Sequence, residues 1–376
     1  MGELYIGLMS GTSIDGIDAA LVEFNGDTSR IIMSTSVDYD EDTRKLLHSL
    51  CSSSDDEIEK AGVARVKIAQ YEAKAVNTLL DKAKLKAKDI KAIGSHGQTV
   101  RHRPAKGFSL QLDNGALLCA LTGIDTVCDF RSADIAHGGN GAPLTQAFHS
   151  MQFKDENEVS MVLNMGGISN LTVIDTDGRI LEAFDTGPAN TLIDGACRTL
   201  LNIPYDKDAK LAFKGKVVPA LLEKYMQSPY LKLEPPKSTG REDFGLDFIK
   251  EELLFATQDE DFISDLIATL TEFTVMVNVN AVRMCMYRHK ITKTRLILCG
   301  GGAYNPYIRE GLSKNLQKNS VTVMSAEDLG VNSKLLEAHA FAYFAYKFMH
   351  RECLNLGDST GAKEPSILGC LYPATH

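Results

Sequence analysis

The chain alternates between strand-like and helix-like patterns of apolar residues along its length, which predicts an α/β protein. Segments of four to eight apolar or alternating residues are typical of strands, and apolar residues at a spacing of three to four are typical of amphipathic helices. A long amphipathic helix is predicted over 55–86. The strands predicted in the first part of the chain lie at 4–9, 17–24, 30–37, 91–97 and 125–130.

The same order of elements restarts near residue 158. Residues 158–190 read as strand, glycine turn, strand, Asp-Gly turn and strand, and 295–312 as strand, glycine turn and helix. Further helices are predicted at 189–201, 260–288 and 333–349. This duplication predicts two α/β domains, 1–150 (joined by the C-terminal segment, about 350–376) and 151–349, with a ligand-binding cleft between them.

Three glycine-rich turns follow apolar strands: GTSIDG, NMGGISN and CGGGAYN. Glycine lets backbone N–H groups approach an anion closely, so three such turns favour a nucleotide site. The chain has neither a P-loop motif nor the G-x-G-x-x-G spacing of a dinucleotide site. Without a P-loop lysine, Mg²⁺ is expected to neutralise phosphate charge, and aspartates in the first turn would then bind its hydration shell.

Composition excludes several other classes of protein. The formal net charge is −9 over 376 residues, which argues against non-specific binding to nucleic acid. No uninterrupted apolar stretch reaches the length of about 18 residues expected of a membrane span, and the N-terminus lacks a signal-peptide pattern. The 8 cysteines form no C-x-x-C motif, so we interpret them as small core residues in a reducing compartment, the cytoplasm.

The motifs together resemble the anhydro-N-acetylmuramic acid kinase family, within the superfamily of sugar kinases, actin and heat-shock chaperone ATPases. The resemblance is carried by GLMSGTSIDGIDAALV, SHGQTVRH, DFRSADIAHGGNGAPLTQAFH, LNMGGISNLT, FDTGPAN and a terminal LG-x-x-YP, which lie in order along the chain. It implies a two-domain actin-like (ribonuclease H-like) fold with a cleft. It also implies a homodimer that binds a small sugar, with no nucleic acid and no membrane.

The resemblance implies an enzyme that uses ATP, Mg²⁺ and water to convert 1,6-anhydro-N-acetylmuramic acid into N-acetylmuramic acid 6-phosphate during peptidoglycan recycling. Asp185 matches the family's catalytic base. Asp15 and Asp18 are the candidates for the magnesium shell. The residues expected at the nucleotide are Gly11, Thr12, Ser13, Ile14, Asp15, Gly16, Ile17, Asp18, Gly166, Gly167, Ser169, Gly300, Gly301 and Gly302.

Sugar binding is expected to involve Arg131, because arginine can bind the lactyl carboxylate of muramic acid through paired hydrogen bonds. The other candidates are His96, Thr99, Asn140 and Glu337. Alternative interpretations for Asp185 and Glu337 are an acid near a helix N-terminus and a solvated helix-face residue, respectively. Two other functions also fit the turns: another phosphotransferase of the superfamily, hexokinase-like or acetate-kinase-like, and a non-enzymatic ATP-dependent module.

Overall fold

The computed structural model describes residues 2–375 except 12, 27, 258 and 260. The chain divides into two compact units. Unit 1 comprises Met1–Gln152 and Leu335–His376, and unit 2 comprises Phe153–Lys334. The sequence-based division assigned 335–349 to the second half, whereas the structure places this segment in unit 1 because its helix packs on the first sheet.

The strands lie mostly where the apolar pattern predicts them. One prediction was wrong: the strand at 91–97 does not end in a turn but continues to Arg103, because the residues beyond Gly97 pair with the strand at Phe108–Leu112. The strands are Glu3–Ser10 (β1), Gly16–Asn25 (β2), Thr28–Asp38 (β3), Ala92–Arg103 (β4), Phe108–Leu112 (β5), Thr126–Cys128 (β6), Val159–Met165 (β7), Ile168–Ile174 (β8), Ile180–Pro188 (β9), Thr294–Cys299 (β10), Val321–Ser325 (β11) and Cys370–Tyr372 (β12).

The predicted long helices are also present, and the proline-rich region after residue 204 contains short helices that the sequence did not indicate. The helices are Glu41–Leu50 (α1), Glu57–Ala83 (α2), Gly115–Thr122 (α3), Ser132–Ala136 (α4), Thr145–Phe153 (α5), Thr191–Leu201 (α6), Lys210–Lys214 (α7), Pro219–Met226 (α8), Arg241–Phe244 (α9), Lys250–Ala256 (α10), Asp261–Arg288 (α11), Pro306–Leu316 (α12), Leu336–Met349 (α13) and Gly357–Thr360 (α14).

The two units share one sheet topology. Over the described residues, unit 1 has a seven-stranded sheet of order β12-β6-β4-β1-β2-β3 with β5 paired to β4, and unit 2 a five-stranded sheet of order β11-β10-β7-β8-β9. In each unit the first three strands form an antiparallel meander, and the next strand pairs in parallel with the first. This repeated ribonuclease H-like order confirms the predicted α/β fold class and the duplication of supersecondary structure.

Helix α13 lies unusually close to the sheet of unit 1. A Cβ atom at Gly7 would lie 1.8 Å from the carbonyl oxygen of Ala338, and one at Gly94 would lie 2.0 Å from that of Phe341. Only glycine permits this approach, because any side chain at either position would collide with helix backbone. The opposite face of the sheet is covered by α2, whose buried residues join the main core of unit 1.

Helix α11 is the central helix of unit 2. It is long and apolar enough to cross a membrane by composition, but 72% of its most apolar window is buried within the protein. Val279 and Val282 belong to one core cluster, whereas Leu266, Ile267 and Phe273 belong to another. The broad apolar surface of this helix therefore reflects burial on more than one side.

Candidate functional site

The first glycine-rich turn connects β1 to β2 in unit 1. Its backbone curls back, with the N–H of Ile14 donating to the carbonyl of Gly11 at 3.2 Å, and Ile14 adopts a positive φ of 58°. The N–H of Tyr39 donates to the carbonyl of Asp15 at 2.9 Å. The turn therefore has a defined shape set by its own chain and by the end of β3.

Gln98 on β4 supports the same turn. Its side-chain Nε2 donates to the carbonyl of Gly11 at 3.1 Å, and its Oε1 accepts from the hydroxyl of Ser10 at 2.5 Å. The Tyr39 hydroxyl in turn donates to Ser10 at 3.0 Å. Gln98 is fully buried. The sequence analysis did not select it, although it lies inside the block SHGQTVRH between the sugar candidates His96 and Thr99.

The predicted nucleotide residues of this turn have different environments. Ile14 and Ile17 have side chains in the core of unit 1, so they can contact a ligand only through their backbone. Ser13 and Asp15 are exposed. Gly11, Gly16 and Asp18 are half-buried, with Gly16 and Asp18 already inside β2. Thr12 lies outside the described residues.

Arg131 and His96 form the centre of the sugar-binding candidates. Arg131 donates from Nε and NH2 to Nε2 of His96, at 3.3 and 2.9 Å, and from NH1 to the carbonyl of Gly141 at 2.6 Å. Nε2 of His96 must therefore be an unprotonated acceptor. Burial, together with the Arg131 charge, lowers the pKa of His96 to about 3.

This pairing changes the expectation for Arg131. The Nε edge of the guanidinium, which would form the paired bonds to a carboxylate, is directed at His96. A guanidinium has five N–H donors, and three of them are used in these bonds. One N–H on NH1 and one on NH2 therefore stay available for a ligand. The contact with a lactyl carboxylate stays a prediction, and it would use the NH1/NH2 edge.

Glu337 lies in the first turn of α13, where its charge interacts with those of Arg131 and Asp18. Its side chain is accessible to solvent but surrounded by protein atoms. Desolvation raises the pKa of the Glu337 carboxyl, the Arg131 charge opposes this effect, and the Asp18 charge adds to it. Unit 1 therefore brings one cation and two carboxylates of the predicted site together.

Thr99 and Asn140 are connected to this cluster less directly. The Thr99 hydroxyl accepts a hydrogen bond from Gln111 at 2.9 Å. The backbone N–H of Asn140 donates to the carbonyl of Thr360 at 2.9 Å, and its side chain is exposed. The loop that carries Asn140 is shaped by the buried carboxylate of Asp134, which accepts from the N–H of Gly141 at 2.7 Å and from the Thr360 hydroxyl at 2.7 Å.

The second glycine-rich turn, Gly166-Gly167, connects β7 to β8 in unit 2. The side-chain Nδ2 of Asn190 donates to the carbonyl of Gly166 at 2.7 Å. The carbonyl of Gly167 accepts from the N–H groups of Ala189 and Thr191, at 2.9 and 3.0 Å. Both glycine carbonyls therefore accept hydrogen bonds from residues at the start of α6, which hold the turn in place.

The third turn, Gly300–302, packs against the second. A Cβ at Gly300 would lie 2.8 Å from the Met165 carbonyl oxygen, and one at Gly302 would lie 2.7 Å from the Met165 Cβ. Gly301 lines a cavity of about 380 Å³ within unit 2. The cavity also has two half-exposed aromatic rings, Tyr205 and Tyr304, and the carboxylate of Asp194. Burial raises the pKa of Asp194 to about 6, and Arg198 opposes this shift.

Asp185 lies on β9 at a β-bulge. Its register partner on β8 is Asn170, and the next pair is Ser169 with Gly187, so Thr186 is the extra residue. Bulges bend a strand and change the direction of a side chain, and they often occur beside active sites. The alternative interpretation, an acid at the N-terminus of α6, is wrong, because Asp185 is inside a strand and α6 begins at Thr191.

A buried polar network joins this bulge to the second glycine-rich turn. The Thr186 hydroxyl donates to Oδ1 of Asn278 at 2.7 Å, and Nδ2 of Asn278 donates to the Ser169 hydroxyl at 3.2 Å. All three side chains are buried. Asn278 gave no signal in the sequence, because it lies within the apolar pattern of α11.

The carboxylates of unit 1 are compatible with bound Mg²⁺, although no group of three or more His, Cys, Asp or Glu residues in the described part of the chain is arranged to hold a metal. Magnesium at nucleotide sites often uses one or two carboxylates together with waters and phosphates. Asp18 and Glu337 are close enough for their charges to interact, and Asp15 is exposed nearby in sequence. This donor set suits a hard divalent cation.

Comparisons with known proteins give the family. The family model "Anhydro-N-acetylmuramic acid kinase" matches residues 3–374. A relative of that name from Pseudomonas syringae pv. syringae is 42% identical over 375 residues, covering 100% of both chains. One from Vibrio vulnificus is 41% identical, covering 99% of this chain and 98% of the relative. A solved ROK hexokinase from Thermus thermophilus superposes with a TM-score of 0.39 at 16% identity, covering 92% of this chain and 100% of the hexokinase. The chain belongs to the anhydro-N-acetylmuramic acid kinase family.

Proposed function

We propose that the protein is an ATP-dependent kinase that hydrolyses the anhydro bridge of 1,6-anhydro-N-acetylmuramic acid and transfers phosphate to its 6-oxygen. The observation that carries this proposal is Asp185, a carboxylate at a β-bulge linked through Thr186 and Asn278 to the second glycine-rich turn. Family membership gives the reaction, and this geometry supports the residue that performs its proton transfer.

In this proposal Asp185 takes a proton from the water that attacks C1 of the sugar. The bond between C1 and the bridging 6-oxygen breaks, and the 6-oxygen attacks the γ-phosphorus of ATP, releasing ADP. One carboxylate therefore serves both hydrolysis and phosphoryl transfer. Most of the remaining acceleration comes from positioning, because an effective molarity of about 10⁵ M corresponds to roughly 7 kcal/mol.

ATP is proposed to bind through the three glycine-rich turns. In unit 2, the cavity beside Gly301 offers aromatic rings for a purine base and the carboxylate of Asp194 for ribose hydroxyls. In unit 1, the turn after β1 offers backbone N–H groups and the Ser13 hydroxyl to phosphates. Asp18, with Asp15 and Glu337, would hold hydrated Mg²⁺, which neutralises phosphate charge when bound.

The sugar is proposed to contact the Arg131 and His96 cluster. The remaining N–H groups of Arg131 can donate to the lactyl carboxylate, while His96 and Gly141 keep the guanidinium in place. Glu337 can accept from sugar hydroxyl groups. Action in the cytoplasm, in peptidoglycan recycling, and assembly as a homodimer stay predictions.

The proposal is tested with a panel of acceptors and ¹⁸O-labelled water. We expect ATP-dependent phosphorylation of the anhydro sugar, with one ¹⁸O at C1 of the product and none in its phosphate. Turnover of glucose or acetate without turnover of the anhydro sugar would indicate another phosphotransferase of the superfamily. Label in phosphate, without sugar product, would indicate a simple ATPase module.

A further inference from the structure

Over the described residues, strand β9 has one edge that the sheet of unit 2 leaves unpaired, because β9 is the last strand in the order. At Asp185 this edge is covered by residues 230–239, which we call the 230–239 segment. The segment follows the short turn after α8 and contains the sequence PPKST.

The 230–239 segment contacts Asp185 at three separate groups. The N–H of Asp185 donates to the carbonyl of Lys237 at 3.1 Å. The hydroxyl of Tyr230 donates to the carbonyl of Asp185 at 2.6 Å. The N–H of Thr239 donates to the carboxylate Oδ2 at 3.1 Å. The main chain and the side chain of the proposed base are therefore held by the same segment.

Tyr230 is itself fixed by its surroundings. Its side chain is 5% exposed, and its ring makes an edge contact with Phe244 at 5.7 Å between centroids. The ammonium of Lys237 lies 4.8 Å from the centre of the Tyr230 ring, within the range of a cation–π interaction. Burial raises the pKa of Tyr230, and the charges of Asp185 and Asp243 add to this effect, so the hydroxyl stays protonated and can donate.

The other end of the segment is also anchored. Arg288 on α11 pairs with Glu234 of the segment and with Glu182 of β9. The Thr239 hydroxyl donates to Asp243 at 2.6 Å. A segment fixed at both ends can hold a strand residue to within a fraction of an ångström, which is the precision that a catalytic base requires.

We propose that Tyr230 is a positioning residue for Asp185: its hydroxyl, together with the Thr239 N–H, fixes the bulged backbone and the carboxylate in the orientation that takes the proton. The inference rests on the proposed function of Asp185 as the base. A displacement of about 1 Å in a catalytic group can cost on the order of 10²-fold in rate. Loss of one of several restraints should cost less than that.

The test is Tyr230→Phe, which removes the hydroxyl and keeps the ring. We expect kcat to fall about tenfold, which corresponds to about 1.4 kcal/mol, while KM for ATP and for the sugar changes less than about twofold. Tyr225→Phe is the matched control, because Tyr225 is buried in the same unit and its hydroxyl has no hydrogen-bond partner within the described structure. The control should keep the wild-type kcat.

A double-mutant cycle separates positioning from general damage. With Asp185→Asn as background, the base is absent, so adding Tyr230→Phe should produce no further loss of the residual rate. Replacement of Tyr230 by 3-fluorotyrosine, which keeps the donor, should restore most of the kcat lost in the phenylalanine variant.

The outcomes distinguish the two claims. An unchanged kcat in Tyr230→Phe, or an equal loss in the Asp185→Asn background, would overturn the positioning role and leave the base assignment standing. Full activity of Asp185→Asn by itself would instead overturn the assignment of Asp185 as the base, and the positioning role with it.

Discussion

The two units of this kinase share a strand order but hold their glycine-rich turns differently. In unit 1 the turn after β1 is supported by a side chain from the neighbouring parallel strand, Gln98. In unit 2 the turn after β7 is supported by Asn190 and the first N–H groups at the start of α6. The common topology therefore places a glycine-rich turn after the first strand of each unit, but different residues hold each turn in its conformation.

The units also differ in the polar groups that they bury. Unit 1 has a titratable cluster around the half-buried Arg131 and the buried His96, with two further buried histidines, His149 and His339. Unit 2 has Asp185 at a bulged edge strand and an uncharged network through Asn278. Together with the proposed roles of Arg131 and Asp185, this difference leads us to propose that unit 1 recognises the sugar and unit 2 carries out the proton transfer.

The largest effect is expected for Asp185→Asn in unit 2. The change keeps the shape of the side chain and removes the base, so kcat should fall by at least about 10²-fold, the low end for loss of general-base catalysis. ATP affinity, measured by calorimetry, should be largely retained. Asp175→Asn in the β8–β9 turn is the control, and wild-type turnover in Asp185→Asn would remove the proposed division of roles.

A smaller effect, on substrate affinity, is expected for Arg131→Lys in unit 1. Lysine cannot contact His96 and Gly141 at once, so the cation moves and KM for the sugar should rise about 10- to 100-fold, as for a lost charged hydrogen bond. KM for ATP should change little. Arg101→Lys, which replaces another half-buried arginine of unit 1, provides the comparison. A rise in both KM values would contradict a role confined to the sugar.

Gln98→Leu should affect the nucleotide more than the sugar. The variant loses the bond to the Gly11 carbonyl, and a neutral hydrogen bond contributes about 0.5–1.5 kcal/mol, so KM for ATP should rise about 2- to 13-fold. Ser10→Ala, which leaves the bond between Gln98 and Gly11 intact, should have a smaller effect. Equal effects of the two variants would argue against Gln98 as the support of this turn.

The smallest effect at neutral pH is on stability, and it comes from the buried histidines of unit 1. Burial lowers the pKa of His96 to about 3 and that of His149 and His339 to about 4, below the unfolded value of about 6.5. Above about pH 6.5 these histidines are neutral in both states, so they do not reduce the free energy of unfolding. As the pH falls toward the pKa values of the folded state, the unfolded state binds protons first, and the free energy of unfolding decreases by up to about 1.4 kcal/mol per pH unit for each histidine.

Unit 1 should consequently open before unit 2 on acidification. Hydrogen exchange measured from pH 7 down to pH 5, corrected for intrinsic rates, should show protection lost first in β1, β4 and α13. The single histidine of unit 2, His289, is paired with Glu182 at 2.8 Å. Simultaneous loss of protection in both units would contradict this difference.

The sequence alone determined most of the strands, the long helices, the duplication and the family, because each depends on local patterns or on ordered motifs. It also selected Asp185 and Arg131 as residues. What it lacked was the partners of the site residues. Gln98 lies 87 positions from Gly11, Asn278 lies 92 positions from Thr186, and Tyr230 lies 45 positions from Asp185.

The tertiary structure alone decided how these side chains are used. Arg131 looked free to bind a carboxylate, but folding directs its Nε edge at His96, since His96 lies on β4 and Arg131 follows β6, the strand that pairs with β4. The bulge at Asp185 depends on register between β8 and β9, and its restraint depends on a distant segment covering the edge of β9. Contacts between residues far apart in the chain arise only when the sheets form, so no local pattern records them.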